Sequence, residues 1–209
     1  TVRQYDPQHE KLALFLNDDT GKPLNSFGNL AAWLASQHQH LLFAMNAGMY
    51  QENFSPVGLL VLEGKTVKKL NLRDAKGNFY LKPNGVFLVT PQGAKIVESS
   101  RYPSLAKDVL FATQSGPLLI NQGTIHPIFK PDSTSRLIRN GVGIADNKVY
   151  LVISDKPVNL YEFAIFFKQT LQCDHALYFD GVVSAIYSEA LHRDDQQVLI
   201  GPMLGLVEK

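Results

Sequence analysis

Short apolar runs alternate with turn-forming residues along most of the chain, and the runs are too brief for long helices. Lys11 to Leu16 predicts a strand, closed by the polar, turn-rich stretch Asn17 to Pro23. Ser26 then stands as an N-cap before Leu30, Trp33 and Leu34 at helical spacing, and Leu41 to Met45 predicts a fully apolar strand that runs into Asn46. Val57 to Leu62 and Thr66 to Leu70 predict a hairpin around Glu63-Gly64-Lys65, and Gly85 to Thr90 with Ala94 to Val97 repeats that pattern around Pro91-Gln92-Gly93. Ser104 to Ala112 carries a weaker helical pattern, ended by Gln114-Ser115-Gly116-Pro117 before a strand at Leu118 to Ile120 and a turn at Asn121-Gln122-Gly123. Two strands, Leu137 to Ile144 and Lys148 to Ile153, flank Asp146-Asn147. The clearest helix follows, with Asn159 as N-cap, Glu162 three residues later, and an apolar face at Leu160, Phe163, Ala164, Phe167 and Leu171. It leads to a strand at Ala176 to Phe179, and Val198 to Val207 supplies one or two closing strands. Hairpins outnumber strand-helix-strand crossovers. The pattern therefore predicts an α+β fold of mixed, mostly antiparallel sheets with a few packed helices, in one domain over residues 1–209.

Composition narrows the function. The 209 residues are 45% hydrophobic and 19% charged, the balance of a globular chain with a sizeable core. A formal net charge of +1 argues against a nucleic-acid partner held by a broad basic surface, so any bound anion is expected to be small and local. No apolar run is long enough to be a transmembrane helix. The chain opens at Thr1 without a methionine, which predicts a periplasmic or otherwise exported protein whose signal segment has been removed. The lone Cys173 excludes an intrachain disulfide, and Cys173 with His175 offers too few ligands for a tetrahedral metal site.

Chemistry gathers at the ends of the apolar runs. Asn46-Ala47-Gly48-Met49-Tyr50, Asn84-Gly85 and Arg139-Asn140-Gly141 each combine an amide with glycine, which predicts sharp, left-handed turns that expose backbone N–H groups beside a strand end. Ala176 to Phe179 ends in Asp180-Gly181, a carboxylate followed by a residue that lets substrate approach the backbone. One Arg, one Asp and several amides at strand ends suit a polyhydroxylated or anionic ligand. Ser184 has no neighbouring histidine in sequence, which disfavours a serine hydrolase.

In order from about Leu41 to Tyr187, these pieces resemble the phosphodiester glycosidases. The resemblance is carried by Asn46-Ala47-Gly48-Met49-Tyr50, Pro56 with Gly58, Asn84-Gly85-Val86-Phe87, Gln114-Ser115-Gly116-Pro117-Leu118, Arg139-Asn140-Gly141-Val142-Gly143 and the helix that leads into Ala176 to Ser184. It implies a hydrolase that cleaves a sugar phosphodiester or related glycan linkage. The alternative is a binding protein that kept the pocket without turnover. Where the family carries Asp-Gly-Gly-Gly-Ser, this chain has Asp180-Gly181-Val182-Val183-Ser184, and the two valines narrow or reshape the pocket.

A phosphate monoester leaves readily, so the reaction needs a cation for the phosphate, a carboxylate to activate water and polar groups for the sugar hydroxyls. Arg139 is expected to pair two phosphate oxygens, Asp180 to be the carboxylate, and Asp155 to be a second acid. Asn46, Asn84 and Asn140 are expected to hold hydroxyls or phosphate oxygens, with Gly48, Gly85 and Gly181 giving close approach. Ser115 and Gly116 offer a small anion nest, Tyr50 a stacking face and Ser184 a hydroxyl. The sequence requires no cofactor and leaves open a divalent cation held by Asp180, Asp155 and carbonyl oxygens.

Overall fold

The structure, a computed structural model, describes residues 1–195 and 198–209. In chain order the strands are β1 (Val2–Gln4), β2 (Glu10–Phe15), β3 (Leu41–Asn46), β4 (Leu60–Leu62), β5 (Lys65–Lys68), β6 (Gly85–Thr90), β7 (Gly93–Glu98), β8 (Phe111–Ser115), β9 (Leu118–Asn121), β10 (Thr124–Ile125), β11 (Asn140–Ala145), β12 (Lys148–Ile153), β13 (His175–Asp180), β14 (Ile186–Ser188), β15 (Arg193–Asp194) and β16 (Met203–Glu208). The α-helices are α1 (Phe27–Ser36), α2 (Tyr102–Leu105) and α3 (Leu160–Ile165). Strands assemble into three sheets, ordered β1-β12-β11-β13-β9-β10, β15-β14-β3-β16-β2 and β5-β4-β8-β6-β7. Each ladder between these strands is antiparallel, as the excess of hairpins predicted.

Turn chemistry closes the hairpins. Glu63-Gly64, Gln122-Gly123 and Asp146-Asn147 all carry positive φ, the geometry whose twist matches two-residue hairpin loops. Ser26 caps α1 by accepting the Asn29 N–H at 2.9 Å, and Asn159 forms a reciprocal capping box with Glu162 on α3. The α3 turn continues as a π-helix over Phe166–Thr170, so the apolar face anticipated as far as Leu171 is only partly α-helical.

The helix anticipated over Ser104 to Ala112 is confined to the single turn of α2. Asp108 adopts φ 51°, and Phe111 to Ser115 become β8, which is paired on both sides by β4 and β6. Sheet pairing of that Phe-Ala-Thr run overrides a weak helical period. β11 begins at Asn140 rather than Leu137, which makes only an isolated bridge to Val158. β1, β14 and β15 were not anticipated.

Alternation along the strands sorts side chains between layers. In β13, Leu177 and Phe179 enter a central core shared by all three sheets, with Phe43 and Met45 of β3 and Phe87 of β6. Ala176 and Tyr178 face the opposite way, against Phe163 and Phe167 below α3. Helix α1 covers the other sheet through Phe27, Leu30 and Leu34 against Ala44 and Met203. Closeness demands glycine at Gly141, where an added Cβ would lie 2.5 Å from the Leu177 carbonyl oxygen. Gly141→Ala is expected to cost about 1–3 kcal/mol or more through overpacking against backbone that cannot yield. A denaturant titration checks it.

Candidate active site

Strand ends from all three sheets meet at one place. β3 ends at Asn46, β8 at Ser115 and β13 at Asp180, while β11 begins at Asn140 directly across its ladder from Asp180. Asn140 donates through Nδ2 to both the carbonyl oxygen and Oδ1 of Asn46, at 2.8 and 2.9 Å. Asn46 Oδ1 also accepts the Ala185 N–H at 3.0 Å. Ser184 Oγ lies 2.9 Å from the Asp180 carbonyl oxygen, to which it donates, and 3.3 Å from Asn140 Oδ1. Ser115 Oγ donates to the Phe179 carbonyl at 3.1 Å, which joins the third sheet to the first. Asn46 Nδ2 is buried with no hydrogen-bond partner among the described residues, an unmet donor at the centre of the network.

Asp180 is only 8% exposed. Its Oδ1 accepts the N–H groups of Gly181 at 2.6 Å and Val182 at 2.9 Å. Burial raises its carboxyl above the ordinary value, and these N–H groups, that of Val183 and the positive charge of Arg139 oppose the rise. A carboxylate lifted by burial yet held by directed N–H groups is suited to accept a proton from water.

Arg139 does not present the open fork expected of a phosphate clamp. Its side chain is fully enclosed, with Nε donating to the Val158 carbonyl at 2.8 Å, Nη1 to the Tyr178 hydroxyl at 2.8 Å and Nη2 to the Ser135 carbonyl at 2.9 Å. Neutral acceptors occupy it, and no carboxylate pairs with it among the described residues. Its positive charge is nonetheless felt by Asp180, whose carboxyl it lowers. The Tyr178 phenol receives Arg139 Nη1 and a hydrogen bond from the Asn78 side chain, and burial pushes it up to about 12.

Asp155 stands at the rim, with a side chain 60% exposed that meets the Thr1 amino group at 2.7 Å and Arg193 at 3.0 Å. Those partners hold its carboxyl down at about 2, so at neutral pH it has no proton to give as an acid. Asp155→Asn is expected to change turnover far less than a substitution of Asp180, with any ionic stability it contributes lost as pH falls towards about 2. Parallel turnover and melting series against pH check both points.

The Asn-Gly pairs are not left-handed turns. Asn84 and Asn140 have negative φ, and Gly85 and Gly141 lie in extended strands; of the motif glycines only Gly48, at φ 111°, needs the left-handed region. Gly85 faces Ser115 across the β6–β8 ladder, and an added Cβ on Gly116 would fall 2.6 Å from Asn84 Cβ, so these four stations do converge. Asn84 spends its Nδ2 on the Phe79 carbonyl at 2.8 Å, a structural bond rather than a free donor. Tyr50 lies half-buried, its hydroxyl on the Leu199 carbonyl at 3.1 Å, and burial followed by the charge of Asp180 pushes its phenol up to about 12.

A cleft of about 520 Å³ opens beside Asp180, lined by Ile138, Ser154, Asp155, Gly181 to Ala185, Arg193 to Asp195 and Val198. Among the described residues no group of three His, Cys, Asp or Glu side chains is placed to hold a metal ion, and no helix is long and apolar enough to cross a membrane. The sequence profile of the phosphodiester glycosidases matches residues 39–203, a span that contains every strand end of this network. The chain belongs to the phosphodiester glycosidase family. It is 37% identical to the uncharacterized protein YigE of Escherichia coli over 191 residues, 90% of this chain and 74% of that one. Its fold is like that of the catalytic domain of zebrafish N-acetylglucosamine-1-phosphodiester alpha-N-acetylglucosaminidase, auto-inhibited by its pro-peptide, with a TM-score of 0.59 at 15% identity over 99% of this chain and 88% of that one. A hypothetical protein from Synechocystis has a TM-score of 0.57 at 15% identity, with 100% and 59% covered.

Within this family member, two contributors escaped the sequence reading. Tyr178 sits two residues before Asp180 in a strand of period two, so its place on the same face was available from the alternation alone. Asn78 carries no such signal, because the short 3₁₀ turn of Asn78–Tyr80 reaches the site only through tertiary packing. Cys173 is buried, and burial pushes its thiol up to about 12, consistent with an inert packing role.

Proposed function

We propose that this protein hydrolyses a sugar-1-phosphodiester, or a closely related glycan linkage, with Asp180 as the base that activates water. The carrying observation is the buried, N–H-cradled carboxylate of Asp180, joined across the β11–β13 ladder through Asn140 to Asn46, whose Nδ2 is a buried donor with no partner among the described residues. In this reading a water oxygen bonds to the anomeric carbon while the bond from that carbon to the phosphate oxygen breaks. The water proton passes to Asp180, and the phosphate monoester departs with the bonding pair. Asn46 Nδ2 donates to a sugar or phosphate oxygen and thereby gains the partner it lacks. Arg139 is a positioning residue. Its charge, felt by Asp180 and bonded to the Tyr178 phenol, offsets negative charge that builds at the departing phosphate.

Family membership supports the reaction class, and the zebrafish enzyme's name supplies a first substrate to try. Incubation with methyl N-acetylglucosamine-1-phosphate, followed by assay of free sugar and methyl phosphate, tests the proposal. Equimolar release that depends on Asp180 is expected. Saturable binding without release would instead mark a sugar-phosphate-binding protein.

A further inference from the structure

We propose that the aglycone of the substrate, the alcohol on the far side of the phosphate, carries a hydrocarbon chain that packs on an aliphatic rim built around Val182. This rests on the hydrolase reading above. Val182 is 87% exposed, the most exposed of the large apolar side chains among the described residues. Val198 lines the same cleft and is also exposed, while Ile138 and Val183 add aliphatic wall. Exposed Leu199 follows Val198 in the chain, and its carbonyl accepts the hydroxyl of Tyr50, the tyrosine whose phenol feels the charge of Asp180. Single exposed apolar residues are ordinary on a protein surface; a cluster around the mouth of one cleft is not.

Geometry ties this rim to the reacting centre. The Val182 N–H donates to Asp180 Oδ1 at 2.9 Å, so the exposed Val182 side chain is carried by a residue that cradles the proposed base. The polar wall of the cleft is already engaged within the protein. Ser154 Oγ accepts the Arg139 N–H at 2.9 Å, and Ser184 Oγ is bonded to the Asp180 carbonyl. Arg193 meets Asp155 at 3.0 Å and Asp195 at 2.7 Å. Asp155 and Asp195 there are paired with the Thr1 amino group and Arg193, so these cations are already engaged and offer no open charge to a second phosphate on the aglycone. Aliphatic tips also lack the flat face on which pyranose rings stack. An uncharged hydrocarbon alcohol is the partner that this surface rewards by contact.

The test compares methyl and octyl esters of N-acetylglucosamine-1-phosphate, below the octyl ester's micelle concentration, on the wild-type protein and Val182→Ser. Serine keeps the backbone N–H on Asp180 and removes the aliphatic tip. The octyl ester is expected to have kcat/KM about tenfold above the methyl ester, the gain from burying about two methylenes, carried mostly in KM. In Val182→Ser that ratio is expected to fall towards one. Equal kcat/KM for the two esters, or an unchanged ratio in the variant, would overturn the proposal. Should neither ester turn over, the hydrolase reading fails by itself, and calorimetry with octyl phosphate and methyl phosphate decides this one: tighter octyl binding that Val182→Ser removes upholds it, and equal binding overturns it. Loss of binding to phosphatidylglycerol vesicles in Val182→Ser, with no octyl preference, would reassign the rim to a lipid surface and also overturn it.

Discussion

Asp180→Asn is expected to remove turnover while raising the melting temperature. The amide keeps the shape of the side chain, and its oxygen still accepts the Gly181 and Val182 N–H groups. It cannot take a proton from water, and loss of such assistance costs about a hundredfold or more in rate. Stability moves the other way because burial raises the carboxyl of Asp180 in the folded protein. A raised carboxyl contributes stability that is fully present below its unfolded value and is lost as pH rises through its folded value. At neutral pH the ionised, buried group therefore disfavours the fold, and asparagine relieves that cost. Turnover and melting temperature measured on one purified variant check both halves. A stability loss with turnover intact would identify Asp180 as a turn-capping residue only.

Arg139→Ala is expected to destabilise the protein by about 2–5 kcal/mol, the range for truncating a large buried side chain and leaving its neutral hydrogen-bond acceptors unpaired. Val158 and Ser135 carbonyls and the Tyr178 hydroxyl each lose a donor. Arg139→Lys retains charge but not the three-way reach of the guanidinium, so an intermediate loss is expected. A purely structural arginine and a positioning one differ in the pH profile. Arg139 lowers the carboxyl of Asp180, so a neutral replacement such as Arg139→Gln is expected to move the acid limb of turnover to higher pH, while Arg139→Lys restores it. Kinetics between pH 4 and 8 at a temperature where all variants are folded provide the check, and superimposable profiles would confine Arg139 to support.

Local signals in the sequence anticipated local structure well. Ser26 and Asn159 cap the helices they were expected to cap, because a cap is decided by a few adjacent residues. Gly85, Gly116 and Gly141 serve packing rather than turns or ligand approach. Their close approach between layers depends on Leu118, Asn84 and Leu177 far away in the chain, whereas turn propensity is all that the neighbouring residues reveal. Asn46, Asn140 and Asp180, expected at strand ends, meet in one network that Ser184 joins, whereas of Asn46, Asn84, Arg139, Asp155 and Asp180, expected to line one concavity, only Asp155 lines the cleft. What no run of residues discloses is burial: Arg139, expected open to phosphate, is enclosed by carbonyls from Ser135 and Val158, and Asp155, expected in the chemistry, is tied to Arg193 at the rim. Those outcomes are set by which strands become neighbours, and β16 entering between β3 and β2 has no sequence-local cause.

That insertion has a consequence for biosynthesis. β16 comes after every residue of the site, yet it pairs with both β2 and β3, and β3 ends in Asn46. A nascent chain can complete the β11–β12–β13 ladder and place Asp180 before Met203 has been made, but its Asn46-bearing sheet still lacks an interior strand. The Asn46–Asn140 network is therefore expected to settle only after β16 has been added to that sheet.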